Sequence, residues 1–467
     1  MVRLLHYSDI ENAHDRPERL GRLAGTIDRL RDDGTLVLGS GDDTGPGALA
    51  LETGGRGSLA FFEHVEPDAE TFGNHDFDHG IAGAREIVRE SPVAWVSANV
   101  SADGERVAGA GPYRVFDRGS DRVAVVGVSD PELSLPRPVD VGDPVEAVEA
   151  AAAGVDADWL VALAHTRDDA ARTLARETAA DAVLAGHVHS EASERVDGTP
   201  LVRPGANGRA VWELELGESN AKSSGTAGDG PGIAVTRHDV PEGPLDAEMV
   251  ARQRDRLADA GLAEVVATVD EPVERDRAGC RRGECRLANL VTDALCWVAD
   301  ADIAHVDTGG LRDGPPIGPE VTVADLVGVA PFEAGVFVAT VSGREVCALV
   351  EESCRTVVGG RDGLGGRDSE RWTGQFGGLA IECDRAGGER EVYVRDGAGD
   401  GGGRRLLDPD GEYRLATNGY VVYASEFETV GPADARELHG LYYDAIVEYV
   451  RETELDVALD GRIRYVD

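Results

Sequence analysis

The stretch Gly73-Asn74-His75-Asp76-Phe77-Asp78-His79-Gly80 decides how the rest of the chain is read. It follows a short run ending at Phe72, so its polar side chains stand where a strand has just stopped. Four other places share that grammar. Asp9-Ile10-Glu11 follows Val2-Arg3-Leu4-Leu5-His6-Tyr7, and Gly41-Asp42 follows Thr35-Leu36-Val37-Leu38. Ala164-His165 ends the run that starts at Trp159, and Gly186-His187-Val188-His189 ends another. Val93-Ala94-Trp95-Val96 and Val123-Ala124-Val125-Val126 also read as buried strands, while 18–31, 144–153 and 168–179 carry helical apolar spacing. Strands alternating with helices predict an α/β domain, in which the carboxyl ends of the strands open onto one crevice.

The donor types in those five groups carry the chemistry. Asp, Glu, Asn and His without thiolate suit Mn²⁺, Zn²⁺, iron or Co²⁺ better than soft metals. One carboxylate bridging two ions ~3.5–4 Å apart is the arrangement used for in-line displacement at phosphorus. In an ordinary strand His187 and His189 would face opposite sides; the preceding Gly186 and the four companion groups favour ligation. Asn74 alone reads as a turn former, and within Gly-Asn-His-Asp as a ligand. His6, His14, His64, His238, His305 and His439 have no such company and read as structural or solvated.

This order of motifs resembles the calcineurin-like metallophosphoesterases, and residues 73–80 resemble their 5′-nucleotidase / UDP-sugar hydrolase branch. The second half continues the likeness: 281–294, Asp307-Thr308-Gly309-Gly310-Leu311-Arg312, Pro331-Phe332 and 413–420 follow the order of that family's C-terminal domain. The resemblance implies an N-terminal four-layer α/β/β/α sandwich and a second α/β domain that binds substrate. It implies one ion on Asp9, Glu11, Asp42 and His189, and another on Asp42, Asn74, His165 and His187. The cofactor is then two divalent ions, Mn²⁺ first, with Zn²⁺, Co²⁺ or Mg²⁺ as alternatives. A hydroxide between them attacks phosphorus, and His75, oriented by Asp78, assists the leaving oxygen. The family usually has His where this chain has Glu11. Three arrangements stay open: Glu11 ligates, His14 reaches in, or the first site is weakened.

In the family, the C-terminal domain clamps the nucleotide and two aromatic rings sandwich its base. Phe332 matches one ring, and Tyr420 stands where the other is usually Phe. Core packing is the competing reading of both. Gly309 and Arg312 close the Gly-Gly-Leu-Arg turn, and Arg277, Arg281 and Arg282 fall where the family has anion-binding arginines; pairing with surface carboxylates is the alternative for these three. The base-reading stretch is altered, with Glu333-Ala334 in place of Gly-Asn, and Glu426 stands where the family's ribose-contacting Asp would lie. The expected activity is a 5′-nucleotidase. The rivals are a UDP-sugar hydrolase, a 2′,3′-cyclic phosphodiesterase, another phosphoesterase or, in a different class, a nucleotide-binding protein with a degenerate metal site. A thiosulfate-ester hydrolase ranks below these because the His75–Asp78 pair is present.

Composition bounds these readings. The 467 residues carry a net charge of −41, from 46 basic and 87 acidic side chains. That field excludes nucleic-acid and anionic-membrane partners in general and leaves a small phosphate ester as the partner, provided local cations offset it. Lys222 is the lone lysine, and the arginine-rich, strongly acidic balance resembles that of halophilic archaeal proteins, with the Arg codon bias of a GC-rich genome as the competing reading. A hydrophobic content of 42% excludes a disordered acidic chain. No targeting segment or membrane span is visible, which predicts a cytoplasmic protein. Cys280, Cys285, Cys296, Cys347, Cys354 and Cys383 read mostly as reduced thiols, with a local Cys280–Cys285 disulfide left open. The expected domains are 1–240 and 264–467, joined by a linker helix within 241–263; oligomeric state is not legible. Gly-rich loops are expected at 217–232, 359–366 and 397–403.

Overall fold

The computed structural model describes residues 2–107, 109–133, 135–217, 232–357, 369–384, 390–395, 403–423, 426–455 and 457–466. Nearly all of the three expected Gly-rich loops falls outside these residues. The chain divides into two units, Met1–Gly261 and Leu262–Asp467.

Two six-stranded sheets build the first unit. In one, Val2–Tyr7, Thr35–Gly39, Ala69–Glu70 and Ala94–Trp95 run parallel, with Ala210–Leu216 and Ile233–Asp239 added antiparallel. In the other, Asp121–Ser129, Trp159–His165, Ala182–Gly186 and Thr199–Arg203 run parallel between antiparallel edges. Strands buried on both faces read as continuous apolar runs, and Trp159–His165 is buried at every position. Leu4, Leu36 and Leu38 of one sheet share a core with Val123, Val125, Val161 and Leu163 of the other. The outer face of the first sheet is covered by Pro17–Leu30, Leu59–Val65 and Gly80–Glu90 through Leu20, Leu23, Phe61, Phe62 and Ile87. Pro144–Gly154 and Asp168–Glu177 cover the second sheet through Val148, Ala171 and Leu174. The result is the α/β/β/α sandwich.

The second unit has a five-stranded sheet in the order Gly374–Gly377, Ile303–Asp307, Glu412–Asn418, Gly335–Ser342, Ala435–Leu441. A four-stranded sheet of Arg404–Leu406, Arg390–Arg395, Leu379–Asp384 and Ile463–Val466 accompanies it. Ile303, Val341, Trp372, Phe376, Ile381 and Leu415 fill the core.

Three expectations change. The helix within 241–263, Ala247–Asp259, belongs to the first unit: Met249 joins its core and Gln253 Nε2 donates to the His14 carbonyl. The helix expected from 281 starts at Arg286, because Cys285 is extended and its Sγ caps Ala288 N. Cys280 and Cys285 form a disulfide, which makes 280–285 a closed loop and separates that helix from the short turn Arg277–Cys280. Among the described residues no helix is long and apolar enough to cross a membrane.

Candidate metal centre

Strand register brings the candidate ligands of the first unit to one level. Tyr7 pairs with Gly39 and Gly39 with Glu70 in one sheet; His165 pairs with Gly186 in the other. Asp9, Asp42 and Asn74 therefore leave the first sheet on the same side, and His165 and His187 leave the second. His165 Nε2 lies 3.0 Å from Asp42 Oδ2, and the rings of His165 and His187 are 5.2 Å apart. His189 Nε2 lies 3.1 Å from Glu11 Oε1 and 3.9 Å from Asp9 Oδ1. Donor atoms of Asp42, His165 and His187 form one group within 4.8 Å of one another, and those of Asp9, Glu11 and His189 form a second. A third group joins Glu11, Asp42 and His75.

The backbone is bent to achieve this. Asp9, Glu11, Asp42 and His187 all adopt left-handed φ, at 51°, 44°, 55° and 72°. Such conformations cost ~1–3 kcal/mol each and persist where the surroundings over-determine them. At His187 the strand has ended, and Val188 N donates back to Gly186 O at 2.9 Å. That turn removes the strict alternation and lets His187 and His189 serve the same site. Gly73 is required by close approach: a Cβ there would meet Asp42 Oδ1 at 2.1 Å.

Electrostatics follow from burial against charge. Burial works to raise Asp42, but the charges of His165 and His75 overcome it and hold the carboxyl well below its usual range. Burial works to lower His165, and Asp42 overcomes it, lifting the imidazole to about 10. Asp9 is pushed up to about 6 by burial and the nearby Asp42 and Glu11 charges, while burial and the His165 charge push His187 down to about 4. A divalent cation held here displaces the His165 proton, so its affinity falls as pH falls.

The residues fit a divalent cation. His165 turns Nδ1 to the Ser40 carbonyl at 2.8 Å, which leaves Nε2 for the centre, the orientation that metal-binding imidazoles take. Asn74 Oδ1 is buried with no hydrogen-bond partner. His75 N donates to Asp42 Oδ1 at 2.7 Å, and His75 Nδ1 lies 2.8 Å from Asp78 Oδ2. Two of the three possibilities for position 11 differ in where the side chain lies. Glu11 sits in the second group, whereas His14 is turned away, with Nε2 2.9 Å from the Asp43 carbonyl and its ring on Phe61.

In the second unit the expected substrate residues are placed as follows. Buried Arg312 carries its guanidinium 5.9 Å from the Phe332 ring. Phe332 is half-buried and Tyr420 is 51% exposed, so neither is a core residue. The Glu426 charge adds to burial in raising Tyr420 and Asp307. Gly309 belongs to the turn in which Gly310 N donates to Asp307 Oδ2 at 2.6 Å. Arg277 stands 3.8 Å from Asp313, and Arg282 is exposed and 3.4 Å from Asp276, the carboxylate pairing weighed above. Arg281 lies in the disulfide loop, its carbonyl accepting Trp372 N at 2.9 Å.

Comparison with known proteins assigns a domain type to each unit. The calcineurin-like phosphoesterase model matches residues 2–191, and the model of the 5′-nucleotidase C-terminal domain matches residues 265–429. The chain carries a calcineurin-like phosphoesterase domain followed by a 5′-nucleotidase C-terminal domain. It is a hydrolase acting on phosphate esters. An apyrase of Tabanus yao is 24% identical over 99% of this chain and 93% of its own length. The trifunctional nucleotide phosphoesterase YfkN of Bacillus subtilis is 21% identical over 92% of this chain, which spans 33% of that protein. In structure, a 5′-nucleotidase precursor of Thermus thermophilus shares the fold, with a TM-score of 0.77 at 23% identity, over 100% of this chain and 99% of that one.

Two residues escaped the sequence reading. Buried Asp76 accepts Asp42 N and Gly73 N on one oxygen, at 3.0 and 2.7 Å. Its other oxygen accepts Thr44 N and Thr44 Oγ1, at 3.1 and 2.7 Å. It staples two ligand-bearing loops together, and its place in Gly-Asn-His-Asp was the available signal. Asp307 is the other: a buried carboxyl at the head of the Gly-Gly-Leu-Arg turn, held by Gly310 N and, at 3.3 Å, by Asn418 Nδ2.

Proposed function

We propose that this chain is a dinuclear phosphohydrolase of nucleoside 5′-monophosphates. The observation that carries the reading is the pair of donor groups, Asp42-His165-His187 and Asp9-Glu11-His189, beside a hydrogen-bonded His75–Asp78 pair. Asp9, Glu11, Asp42 and His189 would hold one ion, and Asp42, Asn74, His165 and His187 the other. When bound, the two ions supply Lewis acidity and a nucleophile available at neutral pH. Glu11 adds a hard anionic oxygen, which favours Mn²⁺. The protein's own residues do the rest: Asn74 binds the phosphate, His75 stabilises or protonates the leaving oxygen, and Asp78 fixes the imidazole through Nδ1.

Arg312, with Arg277 and Arg281, supplies cationic contacts to the substrate; Phe332 and Tyr420 stack the base and Glu426 accepts from the ribose. A second reading, the same chemistry on a nucleotide sugar or 2′,3′-cyclic nucleotide, is favoured by Ala334, which lacks the polar atoms of the family's base-reading Asn. The charge of −41 supports function in molar salt. The Cys280–Cys285 disulfide speaks for an oxidising compartment and against the cytoplasmic placement expected from sequence. Locating the protein by cell fractionation, with the thiol state trapped on lysis, decides between them.

The test is phosphate release in molar KCl with Mn²⁺, comparing 5′-AMP, UDP-glucose, 2′,3′-cAMP and ribose 5-phosphate, with His75→Ala as control. Preference for 5′-AMP and a dead variant support the proposal. Turnover of sugar or cyclic substrates alone replaces the substrate assignment, and no turnover of any substrate by Mn²⁺-loaded enzyme defeats it.

A further inference from the structure

Resting on that reading of the centre, we infer that Arg203 is a positioning residue that locks the His189 turn to the His165 strand end. It lies outside every motif discussed above. Leu184 pairs with Val202 in parallel register, which puts Arg203 beside the end of Ala182–Gly186. Its side chain is buried, at 3% exposure. Nε donates to the Ser190 carbonyl at 2.6 Å and one terminal nitrogen donates to Ser190 Oγ at 3.1 Å. The other terminal nitrogen pairs with Asp168. Ser190 follows His189, and Asp168, the first residue of the helix Asp168–Glu177, comes three residues after His165. One planar fork thus spans the exits of both histidine-bearing loops of the second sheet.

Burying a guanidinium is costly and adds little to stability as an ion pair, so its retention here points to geometry. The His187–His189 turn needs an external hold. It contains a left-handed residue, and its own closure is the single bond from Val188 N to Gly186 O. Arg203 is fixed in turn, its carbonyl accepting Trp212 Nε1 at 2.9 Å. Loss of the fork frees Ser190, and with it the imidazole of His189 that faces Glu11 and Asp9.

The experiment titrates metal-free protein with Mn²⁺ alone by calorimetry in molar KCl, for wild type, Arg203→Met, Arg203→Lys and Asp168→Asn, each beside a melting curve. Wild type should take up two ions. Arg203→Met should bind one ion with unchanged affinity and the other about 10–100-fold more weakly, the range expected when a partner of a metal ligand is lost. Arg203→Lys, which cannot span both loops, should recover only part of this. Asp168 is half-exposed, so Asp168→Asn removes the charge from the fork's second arm, leaving an amide oxygen that accepts more weakly, without threatening the fold, and should weaken the same ion by a smaller factor. A purely structural role would lower melting temperature and leave Mn²⁺ affinity alone. Wild-type affinity for both ions in Arg203→Met overturns the inference, as does an unchanged Asp168→Asn if the Met variant does not fold. Fewer than two ions on wild type defeats the reading of the centre itself, and the inference with it.

Discussion

His305 makes the second unit acid-sensitive, by an amount that can be worked out. The imidazole is fully buried on Ile303–Asp307, between Phe376 and Phe427 at 4.8 and 4.9 Å, with Nε2 2.9 Å from Ser353 Oγ. Burial alone pushes it from 6.5 down to about 3. The sign follows directly: a lowered pKa means the unfolded chain takes up the proton first. The stability is fully present above pH 6.5 and is lost as pH falls towards 3, at about 1.4 kcal/mol per pH unit. Between pH 7 and pH 5 the loss is then about 2 kcal/mol. His305→Leu removes the titrating group, while Ser353 Oγ keeps its bond to the Leu349 carbonyl at 2.7 Å, so the neutral-pH cost is small. Urea unfolding of wild type and variant at both pH values measures the double difference, with amide protection in the second unit's strands as the local probe. Parallel pH dependences in the two proteins would refute the argument. The functional consequence is local, because Ile303–Asp307 leads directly into the turn that carries Arg312.

Other perturbations test the remaining parts. Asp76→Ala strands the backbone N–H groups of Asp42, Thr44 and Gly73, at ~1–3 kcal/mol each; the expected outcome is a sharp fall in melting temperature together with lost Mn²⁺ uptake. Intact metal content in a folded Asp76→Ala protein contradicts the staple. Glu11→Gln should lower Mn²⁺ affinity while leaving the fold unchanged; full occupancy at the wild-type rate removes Glu11 from the ligand set. Replacing Cys280 and Cys285 by Ser should cost about 2 kcal/mol for so short a loop and raise KM more than it lowers kcat, since Arg281 lies inside it. Equal effects on both constants would count against Arg281 as a substrate contact.

Most of the first unit was legible because its strands are buried on both faces and its ligands sit at strand ends. An apolar run such as Trp159–His165 announces a central parallel strand, and the polar residue closing it announces the crevice. What could not be read depends on long-range contact. The Cys280–Cys285 bridge needs Cα atoms 5.0 Å apart, which a loop of that length allows but does not dictate. Whether Glu11 or His14 faces the centre is decided by the left-handed φ at Asp9 and Glu11, a local choice that tertiary packing imposes. Arg203 acts on Ser190 and Asp168, and Asp76 on Asp42 and Thr44, all distant in sequence, so spacing gives neither role, although the Gly-Asn-His-Asp motif marks Asp76 as a residue to watch. Phe332 and Tyr420 lie outside the core, which spacing alone left undecided.

A charge of −41 and an anionic substrate are compatible because they act over different distances. In molar salt the Debye length is ~3 Å, so surface carboxylates farther than that from a phosphate contribute almost nothing to its binding. What the phosphate meets is the local sum. Were two divalent ions held against the three carboxylates Asp9, Glu11 and Asp42, one net positive charge would remain at the centre. With an imidazole in place of Glu11, two would remain. Glu11 therefore trades attraction for phosphate against a firmer hold on hard cations. Dilution of salt lengthens the screening distance and lets the acidic surface oppose the substrate, so affinity for a phosphate ester falls in low salt even where the fold survives. Screening in concentrated salt confines the acidic surface to short range and leaves the buried charges to address a phosphate ester.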